Sequence, residues 1–424
     1  MKTKLFFATM CAFLLGRGIA NAQFGDSKPY PSTTSPHESK DSTRGHIWGF
    51  MFGSDYTKTH ADSAKRGSTQ YSQVPQGANA FSFQRVYLGY DYFFNKQFSV
   101  HMVLAHEDLY DGSIGGVNID QTNSRSFYLK FGNMEWDNIF PGSNLSIGAV
   151  VTPSFAFMEE PFWGYRAIER TILDMRGITG SNDVGAKLGG KIWKTNDENG
   201  AEKACVGYNI MVGNNSGAKP DNSALSSYTP YKRYYGDLFA KFFNDKIVVD
   251  FYGDYHTIQW SPYKQSNTVG RGLIGYKTKN FNISFEYFQE VMKNQAIVAK
   301  VNGISQPNDT TNRVQSGFSI EGAATLLRDK NGVQKLGAIF RYDTYNPDAN
   351  YSADDTYTGS YSNGNSNTEN FITVGLDYTP IPQIHIMPNV WYDQFSNRAN
   401  GVGGSLKSDY DLAYRITFYY LFYK

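Results

Sequence analysis

Cysteine is scarce in this chain of 424 residues: there are two, and Cys11 falls in an N-terminal apolar stretch, which leaves Cys205 alone. One thiol closes no internal disulfide, so an exported protein of this sequence takes its stability from elsewhere. Apolar runs of 18 or more residues are missing beyond the N-terminus, which excludes transmembrane helices. Surplus positive charge is missing too. Taking Lys2, Lys4 and Arg17 from the 40 basic residues leaves 37 against 39 acidic ones, a formal charge of −2. Nucleic-acid binders normally show a basic face, so the balance argues against that class. No sequence repeat of fixed 20–50-residue period recurs, which counts against a propeller or solenoid.

The N-terminus carries an export signature. Lys2 and Lys4 precede the apolar `LFFATMCAFLL`, and Ala20-Asn21-Ala22 has the form of a cleavage site. A run of about a dozen residues is too short for a span of about 20. The pattern predicts a signal peptide over 1–22, and Ala8-Thr9-Met10 before Cys11 is a poor context for lipid attachment. A polar, Pro- and Ser-rich lead-in over 23–45 follows.

Aromatics make up 16% of the chain, with 31 Tyr, 30 Phe and 41 Gly, yet mean hydropathy is −0.47. An outer-membrane β-barrel has this profile, as does a soluble all-β protein, and composition does not separate them. Patterning does. In `FSVHMVLAHE`, Phe98, Val100, Met102 and Leu104 share one face, and Ser99, His101 and Ala105 the other. In `DLAYRITFYYLFYK`, Leu412 to Phe422 alternate with Asp411, Ala413, Arg415 and Thr417. Sixteen such segments begin near 46, 80, 97, 124, 143, 183, 203, 232, 246, 269, 281, 313, 334, 368, 383 and 409. Short connections such as `NKQ` (95–97), `NDK` (244–246) and `TKN` (278–280) alternate with long polar ones. One rim of a membrane barrel carries tight turns and the other carries loops, which a soluble sandwich has no reason to do. The expected fold is therefore all-β: a transmembrane antiparallel β-barrel of about 16 strands over 46–424, wide enough for an aqueous channel.

Motifs for chemistry are weak. `GRGLIG` (270–275) matches a dinucleotide fingerprint but continues into alternating strand. His101 and His106 lie five apart on a strand and point to opposite faces, so no metal site is expected from them with Glu107. The acidic loop 346–370 lacks the spacing of a calcium loop. No cofactor is expected and no enzyme activity. A barrel hydrolase acting on lipids, or a sealed adhesion barrel, remains the alternative. Strand parity sends Arg85, Lys130, Lys187, Lys191, Lys241, Lys277, Arg341 and Arg415 to the inside, with Asp91, Glu107, Asp237, Asp250 and Asp254. Glu286, Glu321, Asp343, Asp377 and Asp393 join them. A charge facing lipid at mid-membrane would cost about 2–4 kcal/mol.

One stretch breaks the pattern: `FAFMEEPFWGYRAIERTILDMRG`, residues 155–177. It lies within 154–182, the third outward connection if the first strand starts at the periplasm. Ile168, Ile172 and Met175 have helical spacing over Trp163 to Met175, and Arg166, Glu169 and Arg170 are neighbours on another face. This spacing predicts a short helix docked on the inner wall. Glu159, Glu160, Arg166, Glu169, Arg170, Asp174 and Arg176 would then form a charged constriction. A helix packed on the outer rim or against another subunit is the other reading.

`PSFAFMEEPFWGYRAIERT` resembles the third-loop region of the phosphate-selective porin O and P family, through Glu159, Glu160, Ile168, Glu169 and Arg170. The resemblance implies a homotrimeric 16-stranded channel with its third loop folded inward, selective for phosphate in some members. The mixed lumen charge and the final Lys424 depart from that family's pattern. The expected function is a passive diffusion porin of a Gram-negative-type outer membrane. Its expected partners are outer-membrane lipids and small polar solutes or inorganic ions.

Overall fold

The computed structural model describes residues 45–423 except 68, 73, 108–112, 115–116, 119–126, 197–201, 216–230, 260–263, 301–309, 351–354, 359–367 and 397–407. The expected signal peptide, most of the lead-in and most of the acidic loop 346–370 lie outside the described residues. Sixteen antiparallel strands form one closed sheet. They are β1 (Gly45–His60), β2 (Asn79–Phe93), β3 (Phe98–Glu107), β4 (Tyr128–Phe140), β5 (Ser143–Val151) and β6 (Asn182–Asn196). Next come β7 (Glu202–Gly213), β8 (Arg233–Phe242), β9 (Ile247–Gln259), β10 (Gln265–Lys277) and β11 (Phe281–Lys300). The circle ends with β12 (Thr310–Arg328), β13 (Gln334–Asn346), β14 (Glu369–Ile381), β15 (Ile384–Phe395) and β16 (Asp409–Tyr423). Each pairs with its sequence neighbours, and β1 pairs with β16 from Trp48↔Tyr423 to His60↔Leu412. Closure leaves no open edge, so backbone donors and acceptors are satisfied within the sheet.

The strands begin within a few residues of the positions that alternation gave, and the fold class is as expected. Alternation also sorts the two faces. Along β8, Arg233, Tyr235, Asp237 and Phe239 are buried, while Tyr234 and Leu238 are exposed. Leu88, Ile147, Ile210, Phe251, Ile274, Phe285, Leu376 and Ile416 continue that exposed apolar face around the sheet. Such a band is what a lipid-facing surface requires.

The tight turns are held by local chemistry. The Asn95 side chain accepts hydrogen bonds from the backbone of Gln97 (2.8 Å) and Phe98 (2.9 Å). Phe243, Asn244 and Asp245 all take positive φ, closing the β8–β9 hairpin. Asp329 accepts from the backbone of Asn331 and Val333 between β12 and β13. Two of the longest strands, β11 and β12, extend past their neighbours, and the end of β11 pairs with a short strand at Asp355–Thr358.

The helix expected over Trp163 to Met175 does not form. Two shorter helices replace it, α1 (Glu159–Trp163) and α2 (Ile172–Met175). Gly164 ends α1 with φ 75° and gives its N–H to the Glu160 carbonyl. This left-handed residue stops a helix that side-chain spacing alone would continue.

Candidate functional site

The connection between β5 and β6, residues 152–181, is closed at its neck by its own polar groups. Thr152 Oγ1 bonds the Gly180 carbonyl at 2.6 Å, and the Thr152 N–H donates to the Ser181 carbonyl at 3.1 Å. At its far end α2 stops where Gly177 takes φ 66° and Ile178 N–H turns back to the Leu173 carbonyl. Between these points the segment is apolar beneath: Phe155, Trp163, Ile168, Ile172 and Leu173 are essentially without solvent contact. They join one cluster with Phe50, Phe52, Tyr87 and Phe131 on β1, β2 and β4, and with Phe288 and Tyr345 on β11 and β13. Phe162 packs separately against Phe239, Val248 and Leu273.

Glycine shapes the wall that receives it. A Cβ on Gly275 of β10 would stand 2.4 Å from the Phe162 ring, and one on Gly317 of β12 would stand 3.0 Å from Ile172 Cδ1. Both positions lie on the buried face of their strands. Phe162 and Ile172 therefore fit notches that any larger side chain would fill.

Polar bonds fix the segment to strands remote from β5 and β6. Tyr165 Oη donates to Asp377 on β14 (3.2 Å), and Trp391 on β15 donates to Glu169 (2.7 Å). Arg415 on β16 donates to the Ile168 carbonyl (2.8 Å), Asn282 on β11 to the Phe162 carbonyl (2.9 Å), and Arg341 on β13 to the Arg170 carbonyl. Arg176 pairs with Glu369 at the start of β14.

The seven charges of the segment do not form one face. Glu159, Glu160, Arg166, Glu169 and Arg176 are buried, and Arg170 and Asp174 keep 25% and 18% of their side chains exposed. Arg166 pairs with both Glu160 and Asp174, the latter at 2.7 Å. On the wall, Arg85 (β2) and Lys130 (β4) share Glu107 (β3), which Tyr128 Oη also bonds at 2.8 Å. Burial would raise the Asp174 carboxyl, but Arg166, Arg170, Arg85 and Lys130 together hold it below the ordinary range. Asp174 thus marks a point where four cations from two sides of the site converge.

The remaining residues expected inside are not gathered there. Lys187 is buried and donates to the Val151 carbonyl at 2.9 Å. Arg341 pairs with Asp343 at 2.6 Å with both side chains fully buried, and Arg415 Nε donates to Asn389. Lys191, Lys241 and Lys277 are only half-buried. Asp91, Asp237, Asp250, Asp254, Glu286, Glu321, Asp377 and Asp393 all lie on the buried face, as parity requires. Asp91 holds the His101 ring at 2.8 Å and accepts from Trp48 at 3.0 Å. `GRGLIG` lies within β10, paired on both sides.

Sequence reading overlooked the first long connection. Between β1 and β2, Asp62 and Arg66 pair through two bonds of 2.7 and 2.9 Å, Tyr71 is fully buried, and Gln70 donates to Glu169 at 3.0 Å. The four-residue spacing of Asp62 and Arg66 was its one local signal.

No protein-family model matches the chain, and no curated protein sequence matches it. Solved structures do. An anion-selective porin from Comamonas acidovorans is 10% identical, with TM-score 0.52 over 89% of this chain and 99% of that one. The outer membrane channel DcaP of Acinetobacter baumannii is 10% identical, with TM-score 0.53 over 89% and 97%. Salmonella typhi OmpF is 12% identical, with TM-score 0.52 over 89% and 97%. At these identities the likeness is one of fold: this chain closes its sheet as those outer-membrane porins do.

Proposed function

We propose that the protein is an outer-membrane porin, a passive diffusion channel for small hydrophilic solutes and ions, in which residues 154–182 fold into the bore as a constriction. One observation carries this reading. The segment leaves and re-enters the sheet at β5 and β6, yet bonds Asp377 on β14, eight strands from β6 and half the circumference away. Bonds to the buried faces of β11, β13, β15 and β16 support the same crossing. A segment that crosses a barrel divides its interior and leaves the narrowest path beside its partly exposed charges.

Arg170 and Asp174, facing Arg85 and Lys130, are then the charges that a solute meets. The convergence of four cations on the partly exposed Asp174 supports a preference for anions such as phosphate, in keeping with the resemblance to the phosphate-selective porins and with the anion-selective name of the Comamonas porin. Homotrimeric assembly, the absence of a catalytic step and residence in a Gram-negative-type outer membrane belong to the same proposal. Purified protein in a planar bilayer tests it: stepwise conductance is expected, with a reversal potential of anion sign in a potassium chloride gradient and block by added phosphate. Silence at all voltages would overturn the channel reading, and a cation-sign potential would overturn the selectivity alone.

A further inference from the structure

Helix α1 meets the wall through carboxyl groups on both sides. Glu159 is fully buried beside the Thr171 hydroxyl, and among the described residues no nitrogen donates to its carboxyl. It faces Glu286 on β11, and Glu321 on β12 acts on it electrostatically; both are nearly fully buried. Two guanidiniums lie within electrostatic reach, Arg271 on β10 and Arg341 on β13, and each already pairs with an aspartate, Arg271 through Nη1 alone. Arg271 bonds Asp250 at 2.6 Å, and Arg341 bonds Asp343 at 2.6 Å. Asp237 on β8 adds a further buried carboxyl beside Asp250. Carboxyl groups thus outnumber guanidiniums three to one in a space closed to water, where unpaired like charges are not sustained.

A carboxyl can face a carboxylate in such a place when one of them carries a proton and donates it as a hydrogen bond. We propose that Glu159, set against Glu286 and Glu321, makes α1 a proton-dependent latch, which seats residues 154–182 on the wall at low pH and loosens them as pH rises. This rests on the reading of that segment as the constriction. Two anchors of α1 itself carry no titrating group, since the Phe162 carbonyl takes its bond from Asn282 and Phe162 sits in the Gly275 notch. The segment's carboxylate anchors Glu169, Glu369 and Asp377 act outside α1, and the Glu159 and Glu286 variants separate the latch from them.

The sign follows from proton linkage. Burial pushes the Glu159 carboxyl up, against the pull of Arg271 and Arg341. A carboxyl raised in the docked state binds its proton more tightly there than when released. Docking is therefore strongest below the ordinary glutamate value of about 4.3. It weakens as pH climbs from there to the docked value, and is constant beyond it. For each proton shed on release, the docked-to-released ratio falls by a factor of about 10 per pH unit across that window.

Single-channel conductance between pH 4 and 9 reads the latch, with Glu159→Gln and Glu286→Gln as comparisons. Glutamine has the shape of a protonated glutamate and supplies the missing donor, so both variants are expected to stay docked at every pH. Wild-type conductance should rise with pH, and the variants should flatten that rise. Hydrogen exchange over residues 157–164, corrected for intrinsic rate, gives a second readout that needs no conduction. Protection should fall with pH in the wild type and persist in Glu159→Gln. Parallel pH profiles in wild type and variants, by exchange, would overturn the latch. PH-dependent protection in a protein that never conducts would keep the latch and overturn the channel.

Discussion

At the scale of single residues, charges that look alike in sequence have different work. Arg166 is held by Glu160 and Asp174, and Arg176 by Glu369, so both are anchors. Arg170 gives up its carbonyl to Arg341 but leaves its guanidinium partly in solvent. Arg170→Gln should therefore change selectivity without unseating the segment. Removing one charge at close range in water is worth about 1 kcal/mol, or about a five-fold fall in the anion-to-cation permeability ratio. Reversal potential measures it, and an unchanged value would assign the filter elsewhere. Glu169 is different again, accepting from Trp391 and Gln70 in a buried site. Trp391→Phe removes a hydrogen bond to a charged group, worth about 1.5–3 kcal/mol, and should raise hydrogen exchange over residues 165–176. The seven charges were legible in sequence as a group. Their division into anchors and exposed charges was not, because it depends largely on partners 171 to 222 residues away.

At the scale of elements, the strands were legible and the helix was not. Alternation has a period of two, and a strand with lipid on one side must keep it, so sequence and structure agree from β1 to β16. The segment over 155–177 has no such obligation. Its apolar residues are divided among three clusters, which breaks the single face that the spacing of Ile168, Ile172 and Met175 suggested. The Gly275 notch gives a test of how it is seated. Gly275→Ala places a carbon against the Phe162 ring and should unseat the segment from the wall, raising single-channel conductance as release of the segment does. Adding Phe162→Ala to the same protein should restore it. Failure of the double variant to recover would mean that Gly275 serves strand β10 rather than the segment.

At the scale of the whole molecule, closure rests on the seam between β1 and β16. Lys58 on β1 bonds Asp411 on β16 at 2.8 Å, with both side chains fully buried, and donates also to the Tyr71 carbonyl in the first connection. Breaking a buried pair by removing one partner costs about 3–5 kcal/mol. Asp411→Asn should accordingly lower the temperature at which the folded barrel loses its compact gel mobility, while leaving reversal potential unchanged. A melting temperature equal to that of the wild type would place the stability of the seam in its backbone ladder alone.

The barrel followed from sequence alone because its determinants are local: two-residue alternation, and turns with their own hydrogen-bonding side chains. Strand number and the face of each charge come from the same short-range rule. What the tertiary structure decided is everything that needs two distant strands at once. Only closure sets Asp377 opposite the segment between β5 and β6, gathers Arg85, Lys130, Arg166 and Arg170 about Asp174, and seats Glu159 against Glu286. No period in the chain records those meetings, because each is fixed by the circumference of the barrel and by which of its walls a long connection reaches.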